Sequence, residues 1–429
     1  AADLQVINGG QFTGLPDCVR VSAANAANAN TGAVAAVDPN FDLPSNHRWN
    51  IGLNHVTTSD YSFFDNWEIQ FDYIYTKHKD RAYWYDIRLT PNGVTLPDGR
   101  PQFFEVDPLQ PGCNATFNGI GQGFSNAGTN GGPCDDTRNS NQDVIMSNGP
   151  DGDTDSISIQ FSKSFTFADD SALDLGLGYA WVDAEYASPI NSSTAGSSYE
   201  EVAVEVLNTP VNGPGLWANE HNFVLRARWQ KEWKDGYPFT ISMFLQRRSG
   251  RPFSYTYEDD TVERYFGDSD DEERVLLHVP TGPDDPRYDF SQLSPDNLAA
   301  LFDFLQSSGL SAYAGGIAPK NGFDGPWFTD LDMRIQQDFR VPWGWGGNDH
   351  SISVFLDIEN ALNLFLGDDE NIRNYTNTGD IEEGVRVLEV LGDTSNTEQF
   401  VVNRWYDEGI NQDVDDSVWR IQLGFRYKF

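Results

Sequence analysis

Nine stretches of this 429-residue chain alternate apolar and polar residues, most of them for longer than the strands of an ordinary soluble sheet. In the last of them Trp419, Ile421, Leu423, Phe425, Tyr427 and Phe429 fall on one side of an extended strand. Arg420, Gln422, Gly424, Arg426 and Lys428 fall on the other. The pattern recurs from Trp49 to Leu53, Trp67 to Tyr75, Ile157 to Phe167, Leu173 to Trp181 and Phe223 to Trp233. It returns from Phe239 to Leu245, Trp327 to Phe339 and Ile352 to Ile358. The links between these stretches alternate in length. Short turns lie at about 58–64, 168–171, 235–236 and 341–348, and long loops at about 80–152, 188–217, 250–325 and 361–415. An antiparallel sheet crossing a slab has this asymmetry when one end carries tight turns and the other carries working loops.

The expectation is an all-β fold, an antiparallel transmembrane β-barrel portion over 47–429, preceded by an outer loop segment at 1–46. No stretch approaches the roughly 20 apolar residues of a membrane helix, but a membrane strand needs only about 9–11, half of them polar. A soluble sandwich would use strands of about 5–6 residues, and a β-solenoid would show a repeat period that is absent. Polar rows such as Asp330, Asp332, Arg334, Asp338 and Arg340 need water or a partner domain, which implies a wide barrel. Nine is odd where single-chain bacterial barrels are even, so the visible strands read as part of a larger wall.

Aromatics reach 13% of the chain, with 12 Trp, 17 Tyr and 28 Phe, and cluster near strand ends as interfacial girdles do. A net charge of -37 argues against nucleic acid as a partner. Of the three cysteines, Cys113 and Cys134 bracket a Gly/Asn-rich stretch and suit a loop-closing disulfide in an oxidising compartment, leaving Cys18 over. The opening AADLQVINGG has no signal-peptide character, so a leader was removed or the chain starts partway through a longer protein. One short loop helix is expected at SPDNLAALFDFLQSSG, capped by Ser294, with Pro295 in its first turn and Gly309 at its stop.

Several segments, in order, resemble TonB-dependent outer-membrane receptors of the Oar-like group. They are DPNFDLPSNHRWNIGLNH at 38–55, TLPDGRP at 95–101, RRSGRPFSYTY at 247–257, GGIAPKNGFDGPWFTDLDMRIQQDF at 315–339 and IENALNLF at 358–365, followed by the terminal strand. The resemblance implies the C-terminal part of a 22-stranded barrel in the outer membrane of a Gram-negative bacterium. It implies energy-coupled nutrient uptake by a parent protein whose plug domain and TonB box lie outside this sequence. The implied partners are outer-membrane lipid and lipopolysaccharide, the N-terminal plug and barrel part of the same protein, the TonB complex and the barrel-assembly machinery. That machinery would read Phe425, Tyr427 and Phe429. Alternative readings are a passive channel, or an adhesive or structural barrel subunit of a larger assembly.

Candidate ligand contacts are loop aromatics, Trp84, Tyr85, Phe103, Phe104, Tyr255, Tyr257, Tyr265 and Phe266, which either meet a ligand or pack loop on loop. Arg251, with Arg247 and Arg248, either contacts an anion or pairs with acidic loops. Glu258, Asp259, Asp260, Asp268, Asp270 and Asp271 suit Ca²⁺, or form a solvated acidic surface; no other cofactor is expected. DGDTDS at 151–156 begins like a calcium loop but lacks the turn glycine and the closing glutamate. With no HExxH and no GxSxG, an enzyme is not expected.

Overall fold

The computed structural model describes residues 7–8, 11–12, 34–136, 142–169, 171–190, 192–258, 261, 265–267, 274–341, 350–366, 375–377, 384–391, 398–407, 410–412 and 417–429. Its frame is an antiparallel wall of nine long strands. They are β1 (Ser45–Val56), β2 (Glu68–Lys79), β3 (Gly152–Thr166), β4 (Ser171–Tyr186) and β5 (His221–Glu232), then β6 (Pro238–Arg248), β7 (Phe328–Val341), β8 (His350–Glu359) and β9 (Arg420–Lys428). Each strand pairs with its sequence neighbour, so the order across the sheet is the order along the chain. Among the described residues β1 and β9 each have a long strand on one side only.

Register carries the two-faced pattern across the whole wall. Trp49 opposes Tyr75, Ile51 opposes Tyr73 and Leu53 opposes Phe71; Phe71 in turn opposes Ile159. Leu177 opposes Leu225, which opposes Leu245, which opposes Leu331. Ile335 opposes Leu356, which opposes Leu423. Because side chains alternate with a period of two, one in-register row fixes the face of every other row. From Leu173 to Trp181 the apolar face of β4 extends about 27 Å along the strand at ~3.3–3.4 Å per residue. At a tilt of about 40° that is roughly 20 Å of depth, and the rings at both ends extend it toward the ~25 Å band of membrane barrels.

Cations also stand on the apolar face, Lys77, Lys163, Lys231 and Arg247 among them. Lys163 opposes Leu175 between Phe161 and Phe165, yet its ammonium does not face the slab. It donates to the carbonyls of Phe63 at 3.0 Å and Asp65 at 2.6 Å in the β1–β2 turn, and lies 4.6 Å from the Phe165 ring centre. The polar face needs one glycine for a different reason. A Cβ at Gly424 would come 2.1 Å from the Phe355 ring, which lies across the strand beneath Arg334.

The long loops do not hang as separate excursions. They form a cap with its own core at the end of the wall opposite the tight turns. Ala82–Asp86 pairs with Asp143–Asn148, which also pairs in parallel with Val34–Val37. A second sheet joins Tyr255–Tyr257, Val385–Leu391, Phe400–Trp405 and Tyr288–Asp289. A single apolar cluster takes Tyr83 and Val144 from one loop, Tyr199 and Leu207 from the next, Tyr257 and Leu301 from the third, and Val387 and Phe400 from the last. The helix α1 (Pro295–Ser307) starts at Ser294, whose hydroxyl accepts from the Asn297 amide at 3.2 Å, and buries Leu301 and Leu305 in that cluster. Gly309 follows it at φ 84°, the left-handed stop. The expectation of one loop helix is too low: Ala195–Glu200 and Ala361–Leu366 are also helical. Six residues are too few for a periodic stripe to show in a sequence.

Candidate functional site

The polar face of the wall is concave and holds a trough of about 910 Å³ crossing β2 to β8. Its charges are largely neutralised in place. Arg334 forks onto Asp357 at 2.5 and 2.6 Å, and Arg228 lies 3.6 Å from Asp174. Arg226 differs: among the described residues it has no carboxylate partner. It stands over Gly176 and beside Phe244, which is 38% exposed on the same face. The guanidinium and the bare ring stand in a trough that Glu68, Asp174, Asp332, Asp357 and Glu359 also line, so the pair can hold a polar group with an apolar neighbour among mixed charges.

The cap covers the loop aromatics. Tyr85, Phe103, Phe104, Tyr255, Tyr257, Tyr265 and Phe266 are all buried, and Trp84 is partly buried against the same core. Phe104 belongs to a smaller cluster with Val106 and Cys134. These residues come from loops that cover one another, so loop position did not mean exposure. Of the two sequence readings, contact with a ligand or packing of loop on loop, the burial favours the second.

That interior has a polar thread. The Tyr257 and Tyr288 hydroxyls are 2.8 Å apart, and Tyr288 donates to the His278 carbonyl at 2.5 Å. Burial pushes both phenols up and the His278 imidazole down. Arg100 binds Asp98 at 2.6 Å and donates to the carbonyls of Glu205 and Leu276, tying three loops together. Fully buried Arg88 is paired with Asp136, and lies 3.5 Å from Glu105 and 3.6 Å from Asp143. Lys320 donates to the carbonyls of Ala187 and Val211, the latter at 3.3 Å. Its burial, with the nearby Arg274 charge, holds the ammonium down to about 7. Beside it Asn321, at φ 48°, donates to the Pro214 carbonyl at 2.8 Å and accepts from the Ser254 hydroxyl at 2.9 Å.

The remaining candidates are dispersed. Cys113 and Cys134 are joined by a disulfide. Glu258 is buried, whereas Asp259, Asp260, Asp268, Asp270 and Asp271 lie outside the described residues. DGDTDS is not a loop: it belongs to β3 and the bend before it, where Asp151 pairs with Lys79, Asp153 lies 3.4 Å from Lys77, and Asp155 accepts from Tyr73 at 2.6 Å. No group of three metal-ligating side chains occurs among the described residues. Phe425, Tyr427 and Phe429 sit at the turn end of β9, all well exposed. Arg247, Arg248 and Arg251 make no ion pair among the described residues. Each lies over a ring instead: Trp327 at 5.3 Å, Phe328 at 4.5 Å and Trp217 at 4.2 Å. Arg226 and Phe244 were missed by sequence reasoning, although an apolar residue on a polar row was a visible signal.

Comparison with known proteins adds little to this geometry. No protein-family model matches the chain, and no curated protein does. Among solved structures it is similar to the outer membrane transporter YddB from Escherichia coli, at 10% identity and a TM-score of 0.36. The match covers 78% of this chain and 31% of that one, so the chain spans about a third of the length of the structure it resembles.

Proposed function

We propose that this chain is a wall-and-cap portion of an outer-membrane transport barrel, of the Oar-like TonB-dependent type, that takes part in nutrient uptake. The observation that carries the reading is the register. Nine consecutive strands put their apolar residues on one outward face and their charges on the other, over a depth close to that of a bilayer. The free strand edges of β1 and β9 call for further strands of the same protein, since membrane barrels leave no edge unpaired. Energy coupling rests on the sequence resemblance, and the TonB complex would act through a region outside this sequence.

The packed cap favours a gated path over a standing channel. A passive pore needs an open mouth, whereas here four loops share one apolar core at the outer end. The solute would cross the polar trough, with Arg226 and Phe244 as contacts. The test uses the full-length protein that contains this chain, in planar bilayers with potassium chloride. A gated transporter gives little steady conductance. A large, stable conductance would establish the passive channel instead. Failure of the protein to fractionate with the outer membrane would remove both readings.

A further inference from the structure

The chain holds seven Asn-Gly pairs, and the fold treats them unequally. Asn92 accepts from the Val94 amide at 2.8 Å and donates to the Gln102 side chain at 2.5 Å. Asn148 accepts from the Asp42 amide at 2.9 Å and donates to the carbonyls of Asp42 and Asp80, both at 2.8 Å. Asn212 donates to the Asp151 carbonyl at 2.6 Å, and Asn321 is held by the Ser254 hydroxyl and the Pro214 carbonyl. The side chain of Asn8 lies outside the described residues. Asn118 and Asn130 are both exposed, and neither carboxamide has a hydrogen bond among the described residues.

The backbone separates these two. Asn118 stands in a strand, Thr116–Gly119, that pairs with Gly123–Ser125. Asn130 stands in a turn closed by the Gly132 amide on the Thr129 carbonyl at 2.9 Å, with Gly131 third in the turn at φ 76°. The Gly131 amide has no acceptor among the described residues, and a Cβ built on Gly131 would meet nothing within 4 Å. The turn lies inside the loop that the Cys113–Cys134 disulfide closes. Glycine leaves its backbone nitrogen unshielded by a side chain, and an exposed turn tip lets the preceding carboxamide swing onto that nitrogen.

We propose that Asn130 is a site of spontaneous covalent modification, deamidation through a cyclic imide formed with Gly131. A base in the solvent takes the proton from the Gly131 nitrogen, and that nitrogen attacks Asn130 Cγ. The new N–Cγ bond forms, the bond from Cγ to the carboxamide nitrogen breaks, and that nitrogen leaves as ammonia with the proton returned by the base. Water then opens the ring. Attack at the side-chain carbonyl gives aspartate; attack at the main-chain carbonyl gives isoaspartate, whose main chain runs through Cβ. Either product adds a carboxylate to the turn, and the disulfide keeps the altered turn within the same loop. Water is the sole co-reactant, and the step is independent of what the wall transports.

The test ages the folded full-length protein in detergent at mildly alkaline pH. Samples are quenched, reduced and digested with pepsin in acid, where ring formation stops, and each Asn-Gly peptide is followed by mass spectrometry. Asn130 converts about tenfold faster than Asn148 or Asn321, the factor that two hydrogen bonds impose on a held carboxamide. It also converts faster than Asn118, whose strand restrains the backbone. Its products include isoaspartate, which direct hydrolysis of the side chain does not give. In urea the pairs convert at similar rates, which assigns the contrast to the fold, and N130Q removes the product from this peptide alone. Equal folded rates at Asn130 and Asn148, aspartate without isoaspartate, or a contrast that persists in urea overturns the assignment.

Discussion

Replacing Phe400 by alanine tests whether the loop aromatics are core or contact surface. Phe400 is fully buried, and its ring centre lies 5.4 Å from Tyr265, 5.4 Å from Tyr288 and 5.7 Å from Tyr257. A buried Phe removes at least ~150 Å² from water, worth about 4 kcal/mol at ~25 cal/mol/Å². Phe→Ala losses in cores run about 3–5 kcal/mol once the cavity is counted. A loss of that size raises cap opening roughly a thousandfold. The assay is hydrogen exchange read by mass spectrometry, followed at amides that bridge the loops. Suitable ones are Glu258 to the Leu388 carbonyl at 3.0 Å and Val385 to the Ser254 carbonyl at 2.8 Å. Both should lose protection in F400A, while amides of β4 and β5 keep theirs. Cap protection that falls by less than about fivefold, roughly 1 kcal/mol, would refute the buried-core assignment and return these aromatics to the role of ligand contacts.

Two further perturbations address how the cap is held. Replacing Cys113 and Cys134 with serine opens a bridge of sequence separation 21, which loop-closure entropy values at roughly 3 kcal/mol; proteolysis of 105–136 should accelerate, and reductant should act on the unmodified protein in the same way. Lys320 gives a pH dependence with a definite sign. Its ammonium titrates near 7 when folded, against 10.5 for an ordinary lysine, so between those limits the unfolded cap binds more protons. Cap stability should therefore rise as pH increases from about 7 toward 10, by up to ~5 kcal/mol from this group, with the full penalty present below 7. Hydrogen exchange across that range measures the slope, and K320M should flatten it.

The wall was legible because a strand buried on neither side writes its environment into the sequence at every second residue. Trp49, Ile51 and Leu53 share one face and Asn50, Gly52 and Asn54 the other, so face and length could be read together. The cap hid for the opposite reason. Its strands are short and covered on both sides, as in Tyr255–Tyr257 with all three residues buried, so no alternation remains to be seen. Tyr257 and Phe400 stand in separate loops, and nothing near either one predicts the other. Lys163 failed in a third way. A lysine on an apolar row looks like a break in the pattern, and only the carbonyls of Phe63 and Asp65 explain it. Loop aromatics were therefore judged by their neighbours in sequence when their environment was set by neighbours in space.

The neighbour-to-neighbour order of the wall has a consequence for how the molecule is made. Every hairpin of the meander closes over a local or loop-length separation, whereas the cap joins Tyr83 near one end of the chain to Phe400 near the other. Contacts that distant repay their closure entropy only after the intervening segments are already aligned. The staves of the wall close over shorter separations than its lid, so the order of assembly runs from wall to cap.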